Sequence, residues 1–157
     1  MQTTACERRE FARSMDCLEA VFAFVRPILD ARGVGAADAY AVKMTIEELF
    51  TNMVKYNASG SGHIGIEIEC HVDSLVCRLT DPDSGYFDPT RAPDVDIHQP
   101  VEQRRPGGLG IHLIRRLVDT LDYDYAERRS RITFRRTLTG ADAPLFPAGG
   151  SGEPGLI

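Results

Sequence analysis

The sequence predicts an α+β fold, a two-layer sandwich in which helices cover one face of a mixed, mostly antiparallel sheet. Three observations carry that expectation. Apolar residues recur at helical spacing in three separate segments. Two pairs of shorter segments alternate polar and apolar residues with the period of a strand, and the members of each pair lie close enough to form hairpins. The chain's 157 residues, 43% hydrophobic and 26% charged, suffice for one cored domain and not for two.

The first helix is expected over Ser14–Arg32, where Leu18, Val21, Phe22, Val25, Ile28 and Leu29 share a face and Gly33-Val34-Gly35 supplies a stop. Pro27 interrupts the pattern and predicts a kink or a fresh helical start. The residues before Ser14 carry only a poor signal for a short edge strand. The second helix is expected over Ala36–Asn57, with Val42, Ile46, Leu49 and Met53 forming a buried stripe within about 40° on the helical wheel. Glu48 and Asn52 lie to one side of that stripe, and Glu47 projects to the opposite flank.

After a Gly- and Ser-rich loop at Ala58–Gly62, His63–Cys70 and Val72–Leu79 alternate as two strands of an antiparallel hairpin turning at Asp73-Ser74. The second strand delivers Thr80-Asp81-Pro82-Asp83-Ser84-Gly85 to one end of the sheet. Tyr86–Arg105 lacks periodicity and contains three prolines, and a loop of that length in a compact domain is usually functional. Pro106-Gly107-Gly108-Leu109-Gly110 then opens a third helix, with Ile111, Ile114, Leu117, Val118 and Leu121 on its apolar face. Leu121–Ala126 and Arg131–Leu138 read as two further strands joined by a polar turn at Glu127–Ser130. Residues 1–139 form the expected domain, and 140–157, rich in Gly, Pro and Ala, form an expected disordered tail.

A net charge of −5 and a pI near 5.3 argue against a protein whose main task is to grip nucleic acid. The first ten residues lack the apolar stretch of a signal peptide, and no segment reaches membrane-spanning length, so a cytoplasmic protein without a membrane partner is expected. Cys6, Cys17, Cys70 and Cys77 are not spaced as zinc ligands and read as free thiols. His63, His71, His98 and His112 are scattered, and no protein-built metal cage is expected.

Residues able to carry chemistry fall in three places. Glu48 and Asn52, one turn apart, can present a carboxylate and a carboxamide to one pocket, although ordinary solvated helices carry such pairs too. Asp81 and Asp83 sit at a strand end. Gly107, Gly108 and Gly110 lead into a helix, where free amides and the positive end of the helix dipole favour an anion. Arg104 and Arg105 precede those glycines and can neutralise phosphoryl charge, and Lys55 lies about one turn beyond Asn52.

In their order along the chain, these motifs resemble the GHKL superfamily of ATPases, whose members include gyrase, histidine kinases and MutL. The block Glu48-Leu49-Phe50-Thr51-Asn52-Met53-Val54-Lys55-Tyr56, the run Phe87-Asp88-Pro89 after Asp83-Ser84-Gly85, and Gly107-Gly108-Leu109-Gly110-Ile111 look most like the anti-sigma factor serine/threonine kinases. The resemblance covers roughly Ser14–Leu138 and implies a Bergerat-type ATP-binding fold.

It further implies that Asn52 holds Mg²⁺ against the ATP phosphates, that Glu48 is the catalytic base, and that Gly107, Gly108 and Gly110 surround the phosphates. Arg105 and Lys55 are candidate phosphate contacts. The adenine amino group falls to Asp83, with Gly85 giving the base room. Asp81 is its rival, because the spacing around this box departs from the family's common one, and Asp83 is preferred for the Gly two residues on. Ser130-Arg131-Ile132-Thr133 also departs from the family's usual turn, leaving Thr133 as a weaker candidate near the adenine. The implied partners are an anti-sigma factor antagonist of the STAS type and a sigma factor, with homodimerisation an expectation. A nucleotide-responsive binding module without transfer, and a plain ATPase, need the same pocket and stay open.

Overall fold

The computed structural model describes residues 4–57, 59–85 and 108–140. Within them the chain forms strand β1 (Ala5–Phe11), a single 3-10 turn at Met15–Cys17, helices α1 (Leu18–Ala31) and α2 (Ala36–Tyr56), strands β2 (Ile64–Cys70) and β3 (Ser74–Asp81), helix α3 (Gly108–Leu117), and strands β4 (Thr120–Ala126) and β5 (Arg129–Thr137). The five strands make one sheet in the order β1-β2-β3-β5-β4. Every pairing is antiparallel, so the α+β expectation holds and the sheet among the described residues has no parallel member.

Alternation decides which face is covered. Ile64, Ile66 and Ile68 of β2, Leu75, Cys77 and Leu79 of β3, and Ile132 and Phe134 of β5 are buried on one face of the sheet. Against them lie Val21, Val25 and Leu29 of α1, Val42, Ile46 and Leu49 of α2, and Ile111 and Ile114 of α3. The register sets Leu79 opposite both Ile66 and Ile132, which makes β3 the spine of the core. Arg8, Glu67, Arg78, Arg131 and Thr133 occupy the other, uncovered face. No described helix is long and apolar enough to cross a membrane.

Three boundaries differ from expectation for identifiable reasons. Strand β1 is a full seven residues paired with β2, from Ala5 opposite Cys70 to Phe11 opposite Ile64. Only Phe11 of that strand is buried, so an edge position erased the alternation that would have announced it. Helix α1 starts at Leu18 and not at Ser14, because the Ser14 hydroxyl accepts from the Asp16 amide at 3.2 Å and caps the 3-10 turn ahead of it. The β4–β5 turn is a tight one: Glu127 and Arg128 both have positive φ, 51° and 64°, the sense of a two-residue hairpin turn whose twist matches its strands.

Helix α1 runs through Pro27 without ending, since Val25, Ile28 and Leu29 on either side are buried in the core. Tertiary packing overrides a residue that removes one backbone bond and crowds the turn before it. Pro27 itself is exposed. Pro27→Ala is therefore expected to stabilise the domain by about 2 kcal/mol, from about 3 kcal/mol of recovered helix energy less about 1 kcal/mol of unfolded-state entropy. Urea denaturation reads this directly, and an unchanged midpoint would show that the helix has already absorbed the proline.

A buried polar knot closes the bottom of the fold. Asp38, in the first turn of α2, is wholly buried and accepts from Arg136 Nε at 3.0 Å, from Arg136 Nη2 at 2.9 Å, and from the Thr139 amide and hydroxyl at 2.9 Å each. Arg136 Nη1 also donates to the Leu117 carbonyl at 2.7 Å, so one guanidinium joins the start of α2, the end of α3 and the end of β5. The carboxylate at a helix N-terminus and the satisfied carbonyl at a helix C-terminus are both favourable placements.

Candidate functional site

Between α2 and the ends of β3, β4 and β5 lies a cavity of about 270 Å³. Helix α2 contributes Leu49, Asn52, Met53 and Tyr56, spaced so that they return to one side of the helix, and Asn57 follows at its C-terminal end. From the sheet come Asp81, Ser84 and Gly85 after β3, Tyr123 of β4, and Ser130 and Ile132 of β5. Leu49, Met53, Tyr123 and Ile132 make apolar walls, and Asn52, Asp81 and Ser130 are buried polar groups set into them. Apolar walls with a few convergent polar groups suit a flat, polar-edged heterocycle.

Asn52 is the hinge of the site. It lines the cavity, is only 6% exposed, and its Nδ2 has no hydrogen-bond partner among the described residues. A buried N–H donor left open is costly, and it marks a place where an acceptor atom of a ligand completes the bonding. One turn earlier, Glu48 is half-buried while Glu47 is exposed, as the helical wheel predicts. Burial pushes the Glu48 carboxyl above its ordinary pKa, with the Asn52 amide and the Lys55 ammonium pulling it partly back and Glu47 adding to the rise. Glu48 does not itself line the cavity but lies one turn from Asn52, which does, and a raised carboxyl beside a cavity is the pattern of a general base.

The Glu48 carboxylate lies directly on Gly110, in the first turn of α3. A Cβ at position 110 would overlap both its oxygens, so any other residue here would displace the Glu48 carboxylate from this position. Base and helix N-terminus are thereby brought to one point beside Asn52. Gly108 begins α3, whereas Arg104, Arg105 and Gly107 fall outside the described residues. Lys55 is exposed and does not line the cavity, although its charge reaches Glu48.

The two aspartates exchange the places expected of them. Asp83 does not line the cavity: its carboxylate accepts from the Ser61 amide at 2.7 Å, the Ser61 hydroxyl at 3.0 Å and Arg128 Nε at 2.9 Å. Those bonds, the Ser61 amide foremost, hold Asp83 down to about 2. A carboxyl so depressed stabilises the fold above its ordinary value of 3.8 and loses that contribution as the pH falls through about 2. Asp83 is thus a staple of the loop end. Its carbonyl takes the Asn57 side-chain amide, and the Ser84 amide donates to the Arg128 carbonyl at 2.7 Å, docking the strained β4–β5 turn on this segment.

Asp81 is the aspartate in the cavity wall, 1% exposed. Residues of β3 alternate, and odd positions 75 to 81 face the helices, so the last residue of the strand points where Asp83, beyond its end, does not. The preference for Asp83 by virtue of Gly85 is corrected on that ground, and Gly85 has open space around it. Thr133 is likewise misplaced as a pocket residue. It lies with Arg8, Arg78 and Thr80 on the uncovered face, and its neighbours Ser130 and Ile132 are the β5 residues that reach the cavity.

Several site residues escaped the sequence reading. Tyr123 was legible in principle from the alternation Leu121, Tyr123, Tyr125 along β4; its ring stacks on Tyr125 at 6.4 Å, and the Tyr125 hydroxyl donates to the Ser84 carbonyl at 3.0 Å. Arg13 left no signal at all. It comes from the segment after β1 and meets Asp81 across 68 residues of chain with bonds of 2.6 and 2.7 Å.

Residues 11–136 match the family described as histidine kinase-like ATPase domain, and the chain belongs to that family. It is similar to the serine-protein kinase RsbW of Listeria monocytogenes, 32% identical over 91 residues, and to that of Listeria innocua, 31% identical. Each alignment takes in 55% of this chain and 58% of the relative, so the chain matches little more than half the length of these relatives. Its fold is shared with the crystal structure of the RsbU and RsbW domains of a Mycobacterium tuberculosis protein, with a TM-score of 0.61 at 14% identity over 86% of this chain and 33% of that one.

Proposed function

We propose that the domain binds ATP·Mg²⁺ in the α2–β3–β5 cavity and transfers the γ-phosphate to a serine or threonine of an antagonist protein, as an anti-sigma factor kinase does. The observation that carries this reading is Asn52 in the cavity wall with Glu48 one turn away, its carboxylate against Gly110 at the start of α3. Family membership and the serine-protein kinase relatives support it.

The adenine lies against Leu49, Met53, Tyr123 and Ile132, and its amino group donates to Asp81. The phosphates lead towards the first turn of α3, where free amides and the helix dipole suit negative charge. Asn52 fits a magnesium ion through its amide oxygen, the hard donor that ion prefers, while the open Nδ2 beside it suits a phosphate oxygen. When bound, Mg²⁺ supplies neutralisation of phosphate charge. Glu48 does the proton work: the substrate hydroxyl oxygen forms its bond to the γ-phosphorus, the bond to the ADP oxygen breaks, and the hydroxyl proton passes to the Glu48 carboxylate. A raised pKa brings Glu48 nearer the operating pH, which favours such a transfer. Phosphorylation of the antagonist would then decide whether the kinase holds that protein or a sigma factor.

Two measurements test the reading. Calorimetry with ATP and Mg²⁺ is expected to show binding that Asn52→Ala weakens roughly tenfold to a hundredfold, the worth of one hydrogen bond to a charged group, while ADP binding without Mg²⁺ changes far less. Equal losses with and without Mg²⁺ would remove the metal assignment. Incubation with radiolabelled ATP and the STAS-type proteins of the source organism is expected to label one of them on serine or threonine. Binding without labelling would leave a nucleotide-responsive module, and hydrolysis alone an ATPase.

A further inference from the structure

Asp81 does not stand free in the cavity wall. Its Oδ1 accepts from Arg13 Nη2 at 2.6 Å and from the Asp83 amide at 3.0 Å, and its Oδ2 accepts from Arg13 Nη1 at 2.7 Å. Each carboxylate oxygen offers about two acceptor sites. Oδ1 is therefore filled, and Oδ2 has one site left. The bidentate grip fixes the plane of the carboxylate as well as its charge, because a guanidinium fork allows one orientation. Arg13 Nη2 also donates to the Ser61 carbonyl at 3.1 Å, which anchors the guanidinium to the loop ahead of β2.

The pair has the marks of a functional device. Side chains of Arg13 and Asp81 are 5% and 2% exposed, and the Arg13 Nε is buried without a partner among the described residues. Buried ion pairs are often no more stabilising than apolar residues of the same volume, and one that leaves a donor open is poorly placed to be kept for stability alone. Arg13 itself does not line the cavity, so whatever it does for a ligand it does through Asp81.

We propose that Arg13 is a positioning residue that sets base selectivity. By filling two acceptor sites of Asp81, the Asp83 amide taking a third, and by fixing the plane of the carboxylate, it makes the cavity wall a single acceptor that takes an exocyclic amino group. A purine with a carbonyl at the same edge meets that acceptor with another and is rejected. The inference rests on the nucleotide reading above and adds to it the residue that enforces amino- over oxo-purine.

Calorimetric titration of the full chain with ADP and with inosine diphosphate, at equal Mg²⁺, tests it. Wild-type protein is expected to favour ADP. Arg13→Met is expected to weaken ADP roughly tenfold to a hundredfold and leave inosine diphosphate little changed, so the preference collapses. Arg13→Lys keeps the charge but supplies a point contact in place of the fork, and is expected to lose part of the preference while melting near the wild-type temperature. A merely structural role predicts equal losses for both nucleotides, and that result in either folded variant overturns the proposal, as does an unchanged preference. Should Arg13→Met not fold, the Lys variant decides. Wild-type protein that binds both nucleotides equally would overturn the proposal and leave nucleotide binding standing, whereas binding of neither would overturn both.

Discussion

Glu48→Gln is expected to reduce phosphate transfer by about 10²- to 10⁴-fold, the usual contribution of a positioned general base, while ATP binding persists. Gln preserves the shape of the side chain that lies on Gly110, so the start of α3 keeps its contact and only the proton acceptor is lost. The same change is expected to raise the melting temperature at neutral pH. A carboxyl whose pKa is raised in the folded state stabilises the protein most below its unfolded value and loses that contribution as the pH climbs through the folded one. Above that range wild-type protein carries a half-buried charge, and Gln does not. In the wild type, transfer should rise with pH through the Glu48 titration. A Gln variant that transfers phosphate at the wild-type rate removes Glu48 from the chemistry, and one that binds no ATP shows the residue to be structural.

Asp38→Ala is expected to destabilise the domain by about 3 to 5 kcal/mol, because it takes the carboxylate away from the wholly buried Arg136 Nε and Nη2 and removes the acceptor of the Thr139 amide. Chemical denaturation measures it, with the midpoint falling and the slope unchanged. The double variant Asp38→Ala, Arg136→Met should recover most of the loss, since a buried pair replaced by apolar groups is often close to neutral. A cost below about 1 kcal/mol for the single variant would mean that water reaches the knot and that this end of the fold is looser than the burial implies.

Wherever a side chain's environment follows from local period, the sequence was a good guide. The stripe of α2, the hairpin of β2 and β3, the closing hairpin of β4 and β5, and the separation of Glu47 from Glu48 all depend on spacing within one element, and each is found. Glu48 and Asn52 were legible as a pair for the same reason, four residues being one turn. Edge strand β1 was barely legible because its two faces are nearly equally exposed, and Pro27 misled because core burial on either side outweighs its local penalty.

Two expected site residues lie outside the cavity for one reason. Gly85 favours Asp83 over Asp81 on a chain-neighbour argument, yet the phase of β3 sends Asp81 into the cavity while Ser61 and Arg128, distant in sequence, take Asp83. Thr133 failed by one step of the same alternation on β5.

The sequence by itself determined the fold class, the order of its elements and the convergence of a carboxylate and an amide on one turn of α2. These follow from periodicity and from motif order, which are local properties of the chain. Only the tertiary structure decided which aspartate faces the cavity, that Tyr123 and Ile132 wall it, that the Glu48 carboxylate rests against Gly110, and that Arg13 grips Asp81. Each of those is a contact between segments far apart in the chain, set by strand phase and register and by the close packing of α2 on α3, and a contact of that kind leaves no trace in the spacing of a single element.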